Sequence, residues 1–599
     1  MAILKIYPPI GVARVGNSDK FFIGPETPGV PANWDSANSR FFPFKENGKI
    51  LRQAARFRIF DFDNDGNPTS EITLRAGVKI EWRINVGNRK ASFFSFNGQS
   101  GARSGDVGPY VERASANHPA GAVEKPFDGR GAPLIRNQRN VSVTDRRSLE
   151  ILPGEVSISQ PGSKDLTDAA SKTPISFLGE VQMEDSGRLL FLGGFGRTEK
   201  LDGAAPIEEY ANNDGWFDDM CDGSVSATVT FPDGHSEQAQ WAWVTVGPPD
   251  FAPGIGNVVS LYDTMWDIAV RTPLACQAGN DPDLQDLVAQ QAAWRNDTND
   301  FAPSYQPSFK NHIYPILARA LAAFDVHEDP RRDYHGTLFD WVRLSSHSEN
   351  KIRQGVFSRM RNPNSATVDR LNMPRGLGDD FTSLDQSESD PSVSPTSRAF
   401  LSVTKVQYAL LKSWAENNFK GEWGLGGDLK YVPIPASNPN PTPHGLTIAA
   451  LENCVGGPFF PGIEVSWLVR ETQLYAGAFR LIESGFVLGP LTLGPGFFSQ
   501  QMALPWQADF YDCHKEDHTP DGAPEKIIYM WWTAQRPDDI RPDANSPWRR
   551  WVLPFDANKD SNATDPDDTE NLSRFEQMRT RWPELSFVVL EGDEYVEQK

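Results

Sequence analysis

Val225-Ser-Ala-Thr-Val-Thr-Phe231 puts Val225, Ala227, Val229 and Phe231 on one side and Ser226, Thr228 and Thr230 on the other. A period of two with β-branched residues on both faces describes a strand with one buried and one wet side. Asp233-Gly234 then marks a turn, and the apolar run Trp241–Val246 supplies a strand to pair with. Toward the N-terminus, Val78–Asn85 and Arg56–Phe62 repeat the pattern, with Asp65-Gly66 as a further turn. These runs predict a β-rich stretch over residues 1–250.

Beyond it the period changes. Ile313, Ile316, Leu317, Ala320, Leu321 and Phe324 recur at helical spacing, with Pro315 tolerated in the first turn. Val403, Val406, Leu410, Leu411 and Trp414 trace a second helix, and the polar, Ser- and Pro-containing Asp379–Arg398 reads as a long surface loop. After Pro433-Ile-Pro435 the chain is mixed and rich in Gly and Pro. The expected architecture is α+β: a β-rich region 1–250, a mainly helical region 251–435 and a mixed region 436–599.

Charge and hydropathy exclude some partners. A formal charge of −21 repels a duplex polyanion, and no run of 18 apolar residues exists, so neither nucleic acid nor a membrane is an expected partner. Met1-Ala-Ile3 leads straight into a strand-like run, so no leader peptide is expected. Asp61-Phe-Asp-Asn-Asp-Gly66 opens like a calcium loop, but Ile72 stands where the bidentate Glu belongs, and a hairpin turn is the better account. Leu192-Gly-Gly-Phe-Gly196 matches no phosphate loop and reads as a tight turn.

The four cysteines, at 221, 276, 454 and 513, have neither the density of a disulfide scaffold nor a CxxC pair. Cys513 lies in MALPWQADFYDCHKEDH, Met502–His518, among acids, histidines and aromatics. The residues alone leave its role open. It can be a small buried hydrophobe, a metal ligand beside His514 and His518, or a thiol nucleophile, although no thiol-protease signature surrounds it.

Several segments, in order along nearly the whole chain, resemble the LodA-like quinoproteins, the family of lysine ε-oxidase and glycine oxidase. They are Tyr7–Asn17 (YPPIGVARVGN), Leu189–Gly196 (LLFLGGFG), Asn212–Asp219 (NNDGWFDD), Ala450–Glu464 (ALENCVGGPFFPGIE), Leu504–Cys513 (LPWQADFYDC), Trp531–Pro537 (WWTAQRP) and Trp582–Val589 (WPELSFVV). The resemblance implies a cysteine tryptophylquinone (CTQ), a cofactor made by a thioether cross-link between a cysteine and an oxidised tryptophan. Cys513 and Trp582 are the matching positions; chain logic does not choose Trp582 over Trp531, Trp532, Trp548 or Trp551. Ser586 departs from the glycine expected there. The resemblance also implies Asp509 as the active-site acid, Phe217 and Cys454 near the substrate pocket, and no metal.

The chemistry explains the need. No unmodified side chain is an electrophile, whereas an ortho-quinone offers a carbonyl to a primary amine and a ring that takes up electrons as the Cα–H proton leaves. A base must take that proton. In a helix, Asp509 and Cys513 share a face at i and i+4, and the apolar Trp506 and Phe510 flank Asp509. A Phe at position 217 offers no hydrogen bond to a polar substrate tail, which favours a small amino acid. The expected activity is oxidation of the primary amine of an amino acid by dioxygen, releasing ammonia and hydrogen peroxide. The resemblance adds a flavoprotein that helps install the quinone, a homo-oligomer (dimer or tetramer), and maturation in the cytoplasm, with non-classical export as an alternative. Two competing readings are a non-catalytic β-rich binding or structural protein and a Cys–Tyr copper radical oxidase using Cys513 with Tyr511 or Tyr529.

Overall fold

The computed structural model describes residues 3–93, 139–207, 213–327, 339–365, 372–378, 399–424, 441–457, 462–488, 491–512, 515–517, 528–547, 549–550, 569–591 and 594–598, apart from 141, 375 and 544. The strand Asp222–Thr230 runs as its period-two pattern requires, with Val225, Ala227 and Val229 fully buried and the Ser and Thr positions between them half-buried. It pairs antiparallel with Lys79–Gly87, from Lys79 opposite Thr230 to Gly87 opposite Asp222. On its other edge the Asp233-Gly234 turn returns the chain into Ser236–Gly247. Gly234 sits at φ +88, a conformation that L side chains rarely adopt.

These strands are the middle of a twelve-stranded sheet. Ser236–Gly247 pairs in parallel with Ile3–Tyr7 and Ile10–Arg14. Both of those strands also pair antiparallel with the eleven-residue strand Arg52–Phe62. Leu189–Gly193, Phe177–Met183 and Gly162–Thr167 extend the sheet from there. Between Arg52–Phe62 and Pro68–Ile72 lies the turn that resembled a calcium loop. Asp63 Oδ1 accepts the amides of Asp65 and Asn67 at 3.0 and 2.8 Å, so that carboxylate is spent on closing the hairpin.

The middle of the chain is helical. The helix predicted from Ile313 begins as a π-helical turn, Phe309–Ile313, continues as Tyr314–Ala322 with Pro315 in its first turn, and tightens into a 3-10 turn at Ala323–Val326. The second starts two residues later than the periodicity predicted, at Lys405–Ala415, because Thr404 and Gln407 close a capping box there. Asp379–Arg398 lies outside the described residues.

Two large cores result. One lies under the sheet and gathers residues from both ends of the chain, including Ile84, Val225, Phe217, Trp506 and Trp582. The other packs Trp241 and Trp243 against the helices and holds Cys454. Among the described residues no helix is long and apolar enough to cross a membrane.

Candidate active site

The segment that contains Cys513 in the sequence enters the first core as the short helix Trp506–Asp512. Side chains from the N-terminal half grip the chain leading into it. The Arg139 guanidinium donates to the carbonyls of Gln500 and Met502. Lys90 Nζ donates to Ala503 O at 2.8 Å, and Asn213 Nδ2 to Leu504 O at 2.9 Å. Trp506 N donates to Asp218 Oδ2 at 3.1 Å, so a carboxylate from the strand Trp216–Asp218 takes up a backbone N–H that the helix itself leaves unpaired. One turn on, Gln507 Nε2 donates to Gly196 O at 2.9 Å while its Oε1 accepts from Thr198 Oγ1 at 2.5 Å.

Lys90 and Asp218 form a fully buried ion pair, Nζ to Oδ2 2.7 Å. Burial lowers the Lys90 pKa, against the opposing pull of Asp218; the charge of Asp509 also favours the ammonium. Asp219, next in the chain, is pushed up to about 7 by burial. The backbone N–H of Arg197 opposes that shift and the neighbouring Asp218 adds to it. Its Oδ2 accepts from Arg197 N at 3.0 Å, and its Oδ1 is buried with no hydrogen bond among the described residues.

Trp582 arrives from the other end of the chain. The helix Thr569–Arg581 ends in a 3-10 turn, Trp582–Glu584, and its indole is 3% exposed. The ring lies T-shaped against Trp506, centroids 5.3 Å apart and planes at 71°; Trp506 in turn meets Phe510 edge-on at 5.7 Å. The benzo ring of Trp582 faces Gly196 closely enough that a Cβ there would fall 2.4 Å from Cζ2. With φ +70, Gly196 meets both the steric and the backbone demand. Trp531 is buried in the same core, and its indole N–H donates to Gly378 O at 3.2 Å. Trp548 and Trp551 lie outside the described residues.

Asp509, 2% exposed, sits on this helix three residues after Trp506 and within the electrostatic reach of Lys90. Phe217 is buried in the same core, on the strand whose next residue, Asp218, holds the helix. Cys454 belongs to the second core. Its Sγ lies 3.3 Å from Ala450 O, and burial, with Glu464 beside it, raises the thiol pKa well above its usual value. Ser586 adopts none of the left-handed backbone that would require glycine, and its hydroxyl donates to Glu597 Oε1 at 2.6 Å. Cys513, His514 and His518 lie outside the described residues; the helix is described to Asp512, one position before Cys513.

The residues fit a quinone built on Trp582. A glycine leaves its benzo carbons uncovered by any side chain at that position, and the buried indole N–H of Trp506, packed against it, has no acceptor among the described residues. Sequence reasoning missed Lys90, Arg139, Asn213, Asp218 and Gly196. The segments carrying Gly196 and Asp218 did stand out as Leu189–Gly196 and Asn212–Asp219, but a glycine run reads as a turn until the ring that lies on it is known.

The fold is that of the L-lysine ε-oxidases. Crystal structures of that enzyme from Marinomonas mediterranea, one of them the Schiff base intermediate with L-Lys, superpose with TM-scores of 0.73 and 0.72. Each covers 99% of this chain and 94% of the other, at 22% sequence identity. Residues 7–246 match the model of the L-lysine ε-oxidase N-terminal region, and residues 384–532 that of its C-terminal domain. The chain therefore belongs to the LodA-like L-lysine ε-oxidase family. It is 28% identical to the L-lysine 6-oxidase of M. mediterranea over 569 residues, 85% of this chain and 71% of that protein.

Proposed function

We propose that this protein is an amino-acid oxidase whose cofactor is a cysteine tryptophylquinone formed from Cys513 and Trp582. The reaction takes the primary amine of an amino acid, dioxygen and water to a carbonyl product, ammonia and hydrogen peroxide. The observation that carries this reading is the convergence of the Trp506–Asp512 helix with Trp582 through the 5.3 Å contact between their indoles. That contact supports the reading, because the helix that ends one residue before Cys513 carries the base candidate Asp509 and shares a core with Trp582.

The quinone, when formed, supplies the electrophilic carbonyl and the two-electron sink that unmodified side chains lack. The chain's own residues do the rest. Asp509 takes the proton from the substrate carbon, a role worth ~10²–10⁴-fold in rate. Trp506 and Phe510 exclude water from the amine. Asp218, neutralised by Lys90, fixes where the Asp509 helix begins. Phe217 offers an aromatic wall to the substrate, which favours a small side chain, while the relatives' L-lysine is the other candidate. A flavoprotein maturation partner, a homo-oligomer and maturation in the cytoplasm belong to the same proposal.

Peptide-mapped mass spectrometry of protein coexpressed with its maturation partner tests the cofactor: a Cys513–Trp582 thioether with two quinone oxygens adds about 28 Da and joins two peptides. An amine screen with peroxide detection, including glycine and L-lysine, tests the activity. Unmodified Cys513 and Trp582 in such protein defeat the reading.

A further inference from the structure

Several buried indole N–H groups in this protein are paired, whereas those of Trp341, Trp423 and Trp506 have no acceptor among the described residues. Trp82 donates to Gly187 O at 2.8 Å, Trp216 to Ala205 O at 2.9 Å, Trp243 to Asp222 Oδ2 at 3.1 Å and Trp414 to Leu344 O at 2.9 Å. Of the three without an acceptor, Trp341 and Trp423 pack against each other in the second core, and Trp506 is the one that packs against Trp582, where chemistry is expected. Its Nε1 is buried with no acceptor among the described residues, and its side chain is 4% exposed. Bulk solvent therefore does not reach it. The ring is buried, its backbone N is bound by Asp218, itself held by the fully buried Lys90, and it makes T-shaped contacts with Trp582 and Phe510.

An indole such as unmodified Trp582 carries no oxygen, so it cannot accept a conventional hydrogen bond from Trp506. Conversion to an ortho-quinone places two carbonyl oxygens on that ring and creates the acceptor that this donor lacks. We propose that the indole N–H of Trp506 donates to a quinone oxygen of the modified Trp582 and thereby sets the spectrum and the reduction potential of the cofactor. This rests on the reading above that Trp582 carries the quinone. The sign follows from charge: two-electron reduction turns the carbonyl oxygens into electron-rich phenolic ones, so a donor stabilises the reduced form more and raises the potential.

Trp506→Phe keeps an aromatic ring and removes the N–H. With the quinone verified by mass in both proteins, a reductive titration against a reference dye is expected to show at least a tenfold loss in the equilibrium for reduction, about 30 mV for a two-electron couple. The visible band of the resting enzyme is expected to move as well. Trp506→His is the rescue, because the imidazole Nε2 occupies the place of the indole Nε1 in the five-membered ring; it is expected to return the potential toward that of the wild type. A measurement free of variants covers the case in which Trp506→Phe prevents quinone formation. The quinone carbonyl band in the resonance Raman spectrum of the wild type is expected to shift down in D2O.

A quinone-bearing Trp506→Phe protein with wild-type band and potential overturns the proposal. So does a wild-type carbonyl band that does not respond to D2O. An unchanged resting spectrum with only a raised KM overturns it in favour of an N–H that serves the substrate. Wild-type protein without the cross-link instead defeats the cofactor reading itself, and the mass spectrum separates that failure from the others.

Discussion

Gly196→Ala is the substitution whose cost can be worked most directly from the structure. Gly196 stands at φ +70, where an L side chain costs ~1–2 kcal/mol. Its new Cβ would also lie 2.4 Å from Cζ2 and 3.0 Å from Cη2 of Trp582. That ring is buried against Trp506 and cannot simply swing away, and overpacking of this kind costs ~1–3 kcal/mol. The two effects together destabilise by ~2–5 kcal/mol. Gly203→Ala separates them: Gly203 is at φ +81 with nothing within 4 Å of its Cβ position, so it carries the backbone cost alone. Calorimetry of the three proteins is expected to order the unfolding temperatures wild type, Gly203→Ala, Gly196→Ala, with the second step at least as large as the first. Gly196→Ala is further expected to lower the yield of the Cys513–Trp582 cross-link, because the benzo ring must shift. Equal costs for the two variants, together with a normal cross-link yield, would refute the argument that this glycine exists for the ring.

Lys90→Met leaves Asp218 charged and buried, an imbalance that typically costs ~3–5 kcal/mol. Lys90→Met combined with Asp218→Asn should recover most of that loss in the unfolding temperature; a double variant as unstable as the single would show that the charge pair is not what matters. For Asp219, the folded-state pKa of about 7 lies above the unfolded value, so the folded protein holds a proton that the unfolded chain gives up as pH rises from about 4. Wild-type stability is thus penalised progressively between pH 4 and 7, by on the order of 4 kcal/mol, and levels off above that. Asp219→Asn removes the penalty, so its unfolding temperature should gain on the wild type across that window; a constant gap from pH 4 to 8 would contradict the shift. Asp509→Asn should lower kcat by ~10²–10⁴-fold with the quinone still detectable by mass. Near-wild-type turnover would remove Asp509 as the base.

The sequence by itself determined the architecture wherever one period dominated. Val225–Phe231 could be nothing other than a half-buried strand, because slipping by one residue would drive its Ser and Thr face into the core. The helix beginning near Ile313 was equally legible, and only its π-helical entry and 3-10 exit were not, since those depend on packing at the ends. Motif order along the chain pointed to Trp582 and Asp509, although periodicity cannot tell one aromatic residue from another. Tertiary structure decided what surrounds them. Lys90, Arg139, Asn213 and Asp218 lie hundreds of residues from the carbonyls and amide they hold, and no local pattern encodes a hydrogen bond of that range. Gly196 looked like a turn because a glycine's missing side chain has meaning only once the neighbour filling its space is known, and that neighbour, Trp582, enters from the far end of the chain.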